Sequence, residues 1–221
     1  MKTICAVGLS ALCLSAPAWA GPDWVEVSDA GSTLASAQAV VGIGTPQRIS
    51  GSLSAGRGLQ DLEDLYLIRI EQPSTFSFTM TGSEFDSQLY LFNVTLADQL
   101  FGLLSNNNLN NLTSEASIFQ STATDGTGAE VLMPGVYCLG ITGAGRYPVG
   151  RNGAIFNQVT PTELSGPDGP SGINPLTGWA GDGASGSYEV VLVGAGYVNV
   201  PAPASALVLG CVGVSVLRRR R

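Results

Sequence analysis

The chain has no histidine among its 221 residues. That absence removes Ser-His-Asp and Cys-His catalysis, and imidazole-ligated zinc or haem. Charge is scarce as well: charged residues make up 12% of the chain, roughly half the usual share. Basic residues are the scarcer sign, with 10 Lys+Arg against 17 Asp+Glu. A nucleic-acid partner is therefore excluded, because a phosphate backbone needs Lys/Arg neutralisation. Cysteine is sparse and badly distributed for cross-linking. Cys5 and Cys13 lie in an apolar run at the start of the chain and Cys211 in one at its end. Only Cys138 remains between them, so the central domain has no intrachain disulfide. A nucleophilic role for Cys138 would need a neighbouring base, and no histidine exists to serve. Long helix-forming stretches of Ala, Glu, Lys and Leu are also missing. What is present is 44% apolar residues, enough for a core, and 29 glycines, which suit a β-rich chain.

The two ends read as addresses. Residues 1–20 are MKTICAVGLSALCLSAPAWA: Lys2, an apolar run from Ile4 to Leu14, then Ala18 and Ala20 as small residues before Gly21. This pattern predicts a cleaved signal peptide, with the Sec translocon and signal peptidase as partners. Residues 199–221 carry an apolar stretch from Ala204 to Leu217 and then Arg218, Arg219, Arg220 and Arg221. The order predicts a transmembrane sorting tail whose arginines stay on the cytoplasmic side. Val200-Pro201-Ala202-Pro203 precedes the span. Motif, span and basic cluster together resemble the PEP-CTERM family of bacterial sorting signals, with Ala202 where the family has Glu. The resemblance implies an exosortase-type enzyme that cleaves near Val200, Pro201 and Pro203. The product would pass to the cell surface or extracellular matrix.

Between the addresses the patterning has period 2. Leu65 to Glu71 places Tyr66, Ile68 and Ile70 on one face, and Thr75 to Thr81 does the same with Phe76, Phe78 and Met80. Gln88 to Val94 is apolar on both faces, as a covered central strand would be. Glu130 to Met133 and Val136 to Thr142 flank the turn pair Pro134-Gly135, Ser187 to Val193 closes the set, and Gln47 to Leu53 is a weaker strand. The one stretch suited to a helix is Ser32 to Ala39. Strands without intervening amphipathic helices predict an all-β fold, an antiparallel β-sandwich of jelly-roll type. One domain spans 40–198 after a lead-in at 21–39. Within it, residues 143–186 form a Gly/Pro-rich loop too long for an ordinary connection, either disordered or packed over the sandwich.

Four motifs carry a second resemblance. They are Asp61-Leu62-Glu63-Asp64-Leu65-Tyr66, Phe85-Asp86-Ser87-Gln88-Leu89-Tyr90-Leu91-Phe92, Pro134-Gly135-Val136-Tyr137, and Gly186-Ser187-Tyr188-Glu189-Val190. Their order is similar to the bacterial pre-peptidase C-terminal domain across roughly residues 45–195. The resemblance implies a jelly-roll sandwich and a non-catalytic module, of a kind that in some members binds calcium, collagen or polysaccharide.

The candidate metal ligands are Asp61, Glu63, Asp64 and Asp86, hard oxygen donors suited to calcium. A solvated acidic turn that keeps a strand edge soluble is the competing reading. A glycosidase carboxylate pair is a third, but nothing in the spacing selects a pair. Tyr147, Phe156 and Trp179 in the long loop are either a carbohydrate-stacking platform or staples that hold the loop to its domain. The expected function is thus a non-enzymatic exported protein of the cell surface or extracellular matrix. The alternative is a glycan- or protein-binding module, calcium-stabilised, with extracellular polysaccharide as a partner. No other cofactor is expected.

Overall fold

The computed structural model describes residues 23–55, 60–108 and 118–198. The expected signal peptide, with Ala18, Ala20 and Gly21, and the sorting tail at 199–221 lie outside them. Among the described residues no helix is long and apolar enough to cross a membrane.

The strands in chain order begin with Trp24–Val25 (β1), Gln38–Ala39 (β2), Arg48–Leu53 (β3), Glu63–Ile70 (β4) and Ser77–Ser83 (β5). Next come Ser87–Val94 (β6), Leu100–Asn106 (β7), Ile118–Phe119 (β8) and Gly135–Gly143 (β9). Tyr147–Gly150 (β10), Gly153–Ala154 (β11), Gly178–Ala180 (β12), Gly186–Val193 (β13) and Ala195–Gly196 (β14) complete the set. The fold is all-β. One sheet runs β1-β3-β13-β5-β8, and the other runs β14-β4-β9-β6-β7 with β2 also on β4.

The two sheets face one another because their strands alternate. Tyr66, Ile68 and Ile70 of β4, Leu89 and Leu91 of β6 and Leu139 and Ile141 of β9 meet Ile49 of β3, Phe78 and Met80 of β5 and Val190 of β13 in one core. The faces expected for 65–71 and 75–81 are those observed. β9 is the centre of its sheet: it pairs with β4 from Glu63↔Thr142 to Ile70↔Gly135, and with β6 on its other side. This is a β-sandwich-like arrangement.

Three local expectations are corrected. First, the long strand pairs are antiparallel, but β1 on β3 and β2 on β4 are parallel. The long connections after β1 and β2 give the chain the crossover that parallel pairing needs. Second, Ser32 to Ala39 is not a helix. Ser36 N and Ala37 N both bond to Thr33 O, a single turn, and the chain then enters β2. A segment so short cannot offset helix nucleation, whereas the edge of β4 supplies ready hydrogen bonds. Third, Glu130 to Met133 is not a strand. Only an isolated bridge joins Glu130 to Thr122, and Leu132 and Met133 are exposed. The strand β7 pairs with β6 from Val94↔Leu100 to Leu89↔Asn106.

The long loop at 143–186 is packed over the sandwich. It forms a small third sheet, β11-β10-β12, and covers the outer face of the β4/β9/β6 sheet. Ile155 and Phe156, with Trp179 and Leu176 beside them, pack on Leu65, Tyr90, Phe92 and Cys138. The Trp179 ring lies 5.5 Å from Tyr90 and 6.1 Å from Phe92, edge-on to both, a favoured aromatic geometry. Gly102 on β7 lets the loop approach: a Cβ there would collide with Ile155 and Phe156.

Candidate metal centre

Four carboxylates converge at one end of the sandwich. Oxygens of Glu26, Asp29, Asp61 and Asp64 all lie within 4.8 Å of one another. Two come from the lead-in, one from the approach to β4 and one from β4 itself. Backbone pairing places each. Glu26 N bonds to Ser50 O as the chain leaves β1, and the carboxylate accepts from Ser52 N at 2.8 Å and Ala30 N at 3.1 Å. Ser28, at φ 66°, and Gly31, at φ 69°, turn the segment back. Asp29 Oδ1 caps Gly31 N at 2.5 Å, and Gly31 O accepts from Leu65 N on β4. Asp61 is held by a two-bond bridge to Ser54.

Asp64 stands at the head of the core-facing row that continues through Tyr66, Ile68 and Ile70. Its side chain is fully buried, and Tyr188 donates a 2.5 Å hydrogen bond to Oδ2. The Tyr188 hydroxyl also meets the Tyr66 hydroxyl at 2.6 Å. Oδ1 of Asp64 and Oδ1 of Asp61 are buried and without a hydrogen-bond partner among the described residues. Burial, aided by the neighbouring carboxylates, pushes Asp64 up to about 8 and Asp61 up to about 7. Burial also raises Glu26, against the pull of its two backbone hydrogen bonds. Four acids held together with no basic side chain among them are oxygen donors of the kind a hard cation takes. A cleft of about 170 Å³ opens beside them to solvent, lined by Asp29, Ser32, Ser36, Gln60 and Asp61 and, at its edge toward β4, by Glu63.

Of the four ligands expected from sequence, Asp61 and Asp64 meet in this cluster. Glu63 and Asp86 are not part of it. Glu63 points to the opposite face of β4, where Arg146 holds it through Nε at 3.0 Å and Nη2 at 3.2 Å. Asp86 precedes β6, its carbonyl accepts from Ala144 N, and burial raises its carboxyl. Glu26 and Asp29 escaped sequence reasoning because they sit in the lead-in. Their signal was acid density: Asp23, Glu26 and Asp29 fall within seven residues.

The remaining candidates fall elsewhere. Phe156 and Trp179 act as staples, Trp179 also donating Nε1–H to Ser32 O at 2.9 Å, whereas Tyr147 is 41% exposed. Cys138 is fully buried, which pushes its thiol far up, the environment of an inert structural cysteine. Val200, Pro201, Pro203 and the arginines Arg218 to Arg221 lie outside the described residues. Comparison of the chain with family models, with curated proteins and with solved structures returned no match.

Proposed function

We propose that the chain is an exported, non-catalytic protein of the cell surface or extracellular matrix, with a jelly-roll sandwich whose N-terminal lead-in is tied down by calcium. The observation that carries the cation is the pair of buried, unpartnered oxygens on Asp61 and Asp64, facing Glu26 and Asp29. Calcium takes six to eight oxygens and tolerates irregular cages, whereas magnesium keeps its waters and rarely accepts an all-protein shell. Glu26, Asp29, Asp61 and Asp64 would hold the ion and bind the lead-in to β4. The jelly-roll reading rests on the connections that pass between the sheets at β3–β4, β4–β5, β5–β6 and β9–β13. Export rests on the signal-like residues 1–20. Sorting by an exosortase-type enzyme rests on Val200 to Pro203, the apolar run and the terminal arginines.

Two measurements test the proposal. Calcium added to about 10 mM should raise the melting temperature by roughly 3–10 °C if the dissociation constant is in the range of extracellular modules, about 0.1–1 mM. No rise at that concentration removes the cation. Mass spectrometry of the protein recovered from whole native cells should find Gly21 at the start and a new end near Pro201 to Pro203. Intact termini would remove export and sorting while leaving the cation reading in place.

A further inference from the structure

Another pocket lies where β6 meets β10, β11 and the residues that follow β11. Its floor is aromatic: Tyr90 and Phe156, with ring centroids 5.7 Å apart. Gln88 and Gln158 form one wall, and Gln88 Nε2 donates to Gln158 Oε1 at 2.7 Å. The exposed Tyr147 and Asn157 form the rim. The volume is about 230 Å³, smaller than the ~300–1,000 Å³ of pockets that take extended ligands.

The chemistry of this lining sets it apart from the rest of the surface. No Asp, Glu, Lys or Arg side chain lines it, although the whole chain carries 17 Asp+Glu. Its polar groups are neutral amides and a phenol. Gln88 Oε1, the Asn157 side-chain amide and the Tyr147 hydroxyl have no hydrogen-bond partner among the described residues. A primary amide offers a donor and an acceptor side by side, which matches the paired hydroxyls of a sugar ring. An exposed aromatic ring offers a large, rigid face at low entropic cost, which matches the C–H face of the same ring. The Gln88–Gln158 bond fixes one amide before any ligand arrives, and such pre-organisation lowers the cost of binding.

From this we infer that the Tyr147/Asn157/Gln88 pocket binds one uncharged hexose unit of a polysaccharide. An acidic sugar would find no cation among the side chains that line the pocket. The size fits a terminal or single internal unit rather than a long groove. The inference is independent of the calcium reading, because none of the four clustered carboxylates lines this pocket.

The test is isothermal titration of the full chain with neutral trisaccharides built on glucose, mannose or galactose, and with trigalacturonic acid as the anionic control. Each is taken to about 10 mM, with calcium and separately with a chelator. At least one neutral trisaccharide should bind with a dissociation constant of about 0.1–1 mM, as expected for a small polar contact. Tyr147→Ala should weaken it about tenfold or more, Tyr147→Phe should keep it within about threefold, and Asn157→Ala should weaken it several-fold. Asn157→Ala, at an exposed position, serves as the second variant if Tyr147→Ala lowers the melting temperature. The affinity should be the same in both calcium arms. The inference is overturned if no neutral trisaccharide binds, if trigalacturonic acid binds more tightly, or if Asn157→Ala and a folded Tyr147→Ala both bind like the parent chain.

Discussion

Glu63 and Asp64 are adjacent acids on β4, and the structure gives them opposite environments. Glu63 looks out of the β4/β9/β6 sheet toward the long loop and meets Arg146, which also donates to Gly181 O at 2.7 Å. Asp64 looks into the sandwich, where its neighbours are three more acids and the Tyr188 hydroxyl. Two residues of one charge type, one position apart, are thus sent to opposite faces by the pleat. One side brings its own cation from within the fold and the other does not. The difference separates an acid neutralised by a cation of the fold from one that is not. It also implies that stability should depend on pH and calcium through Asp64 and on Arg146 through Glu63.

The largest expected effect breaks the Asp64 side. With calcium removed, Asp64 is raised in the folded chain from the ordinary 3.8 to about 8, chiefly by burial. A raised carboxyl holds its proton more tightly in the folded state than in the unfolded one. Its contribution to stability is complete below the unfolded value and is lost as pH rises through the folded one. Asp61, raised to about 7, adds in the same direction, but its partial exposure to solvent reduces its share. Urea unfolding in a chelator should therefore give a stability lower by about 3 kcal/mol at pH 8 than at pH 5. Asp64→Asn should flatten most of that slope, be the more stable chain at pH 8, and lose the calcium response. In saturating calcium the slope should weaken or reverse, because the ion needs the carboxylates deprotonated. A parent chain with flat stability from pH 5 to 8 in chelator would remove the premise that Asp64 is an uncompensated buried acid.

How much of this contrast the sequence could show depended on whether the signal was local. The alternation of Tyr66, Ile68 and Ile70, and of Phe76, Phe78 and Met80, is a property of consecutive residues, and both rows face the core as read. The same alternation, carried two residues upstream, would have parted Glu63 from Asp64, but acids next to one another invite grouping. Glu26 and Asp29 were illegible as ligands for a different reason. They reach Asp61 and Asp64 only through the parallel pairing of β1 with β3 and the Gly31–Leu65 hydrogen bond, both non-local. Trp179 and Phe156 could be read as staples or as a binding platform, because the residues they cover, Tyr90 and Phe92, lie far away in the chain. The short strands β10, β11 and β12 carry too few residues for any period to show.

The smaller effect sharpens the Glu63 side. The Glu63 side chain is only 11% exposed, so removing its partner leaves a poorly solvated charge. Arg146→Ala should cost about 2–4 kcal/mol in urea unfolding, since breaking a buried pair from one side is far more costly than the pair is worth. It also deprives Gly181 O of its donor at the turn after β12. Glu63→Gln should cost only about 1 kcal/mol, because the amide oxygen still accepts from the guanidinium and no charge is stranded. Neither variant should change the calcium-induced rise in melting temperature, because Glu63 faces away from the cluster that Asp64 joins. A calcium response lost in Glu63→Gln would place Glu63 among the ligands after all. The pleat would then not be what divides the two acids, and the cation would have to lie on the loop side of β4.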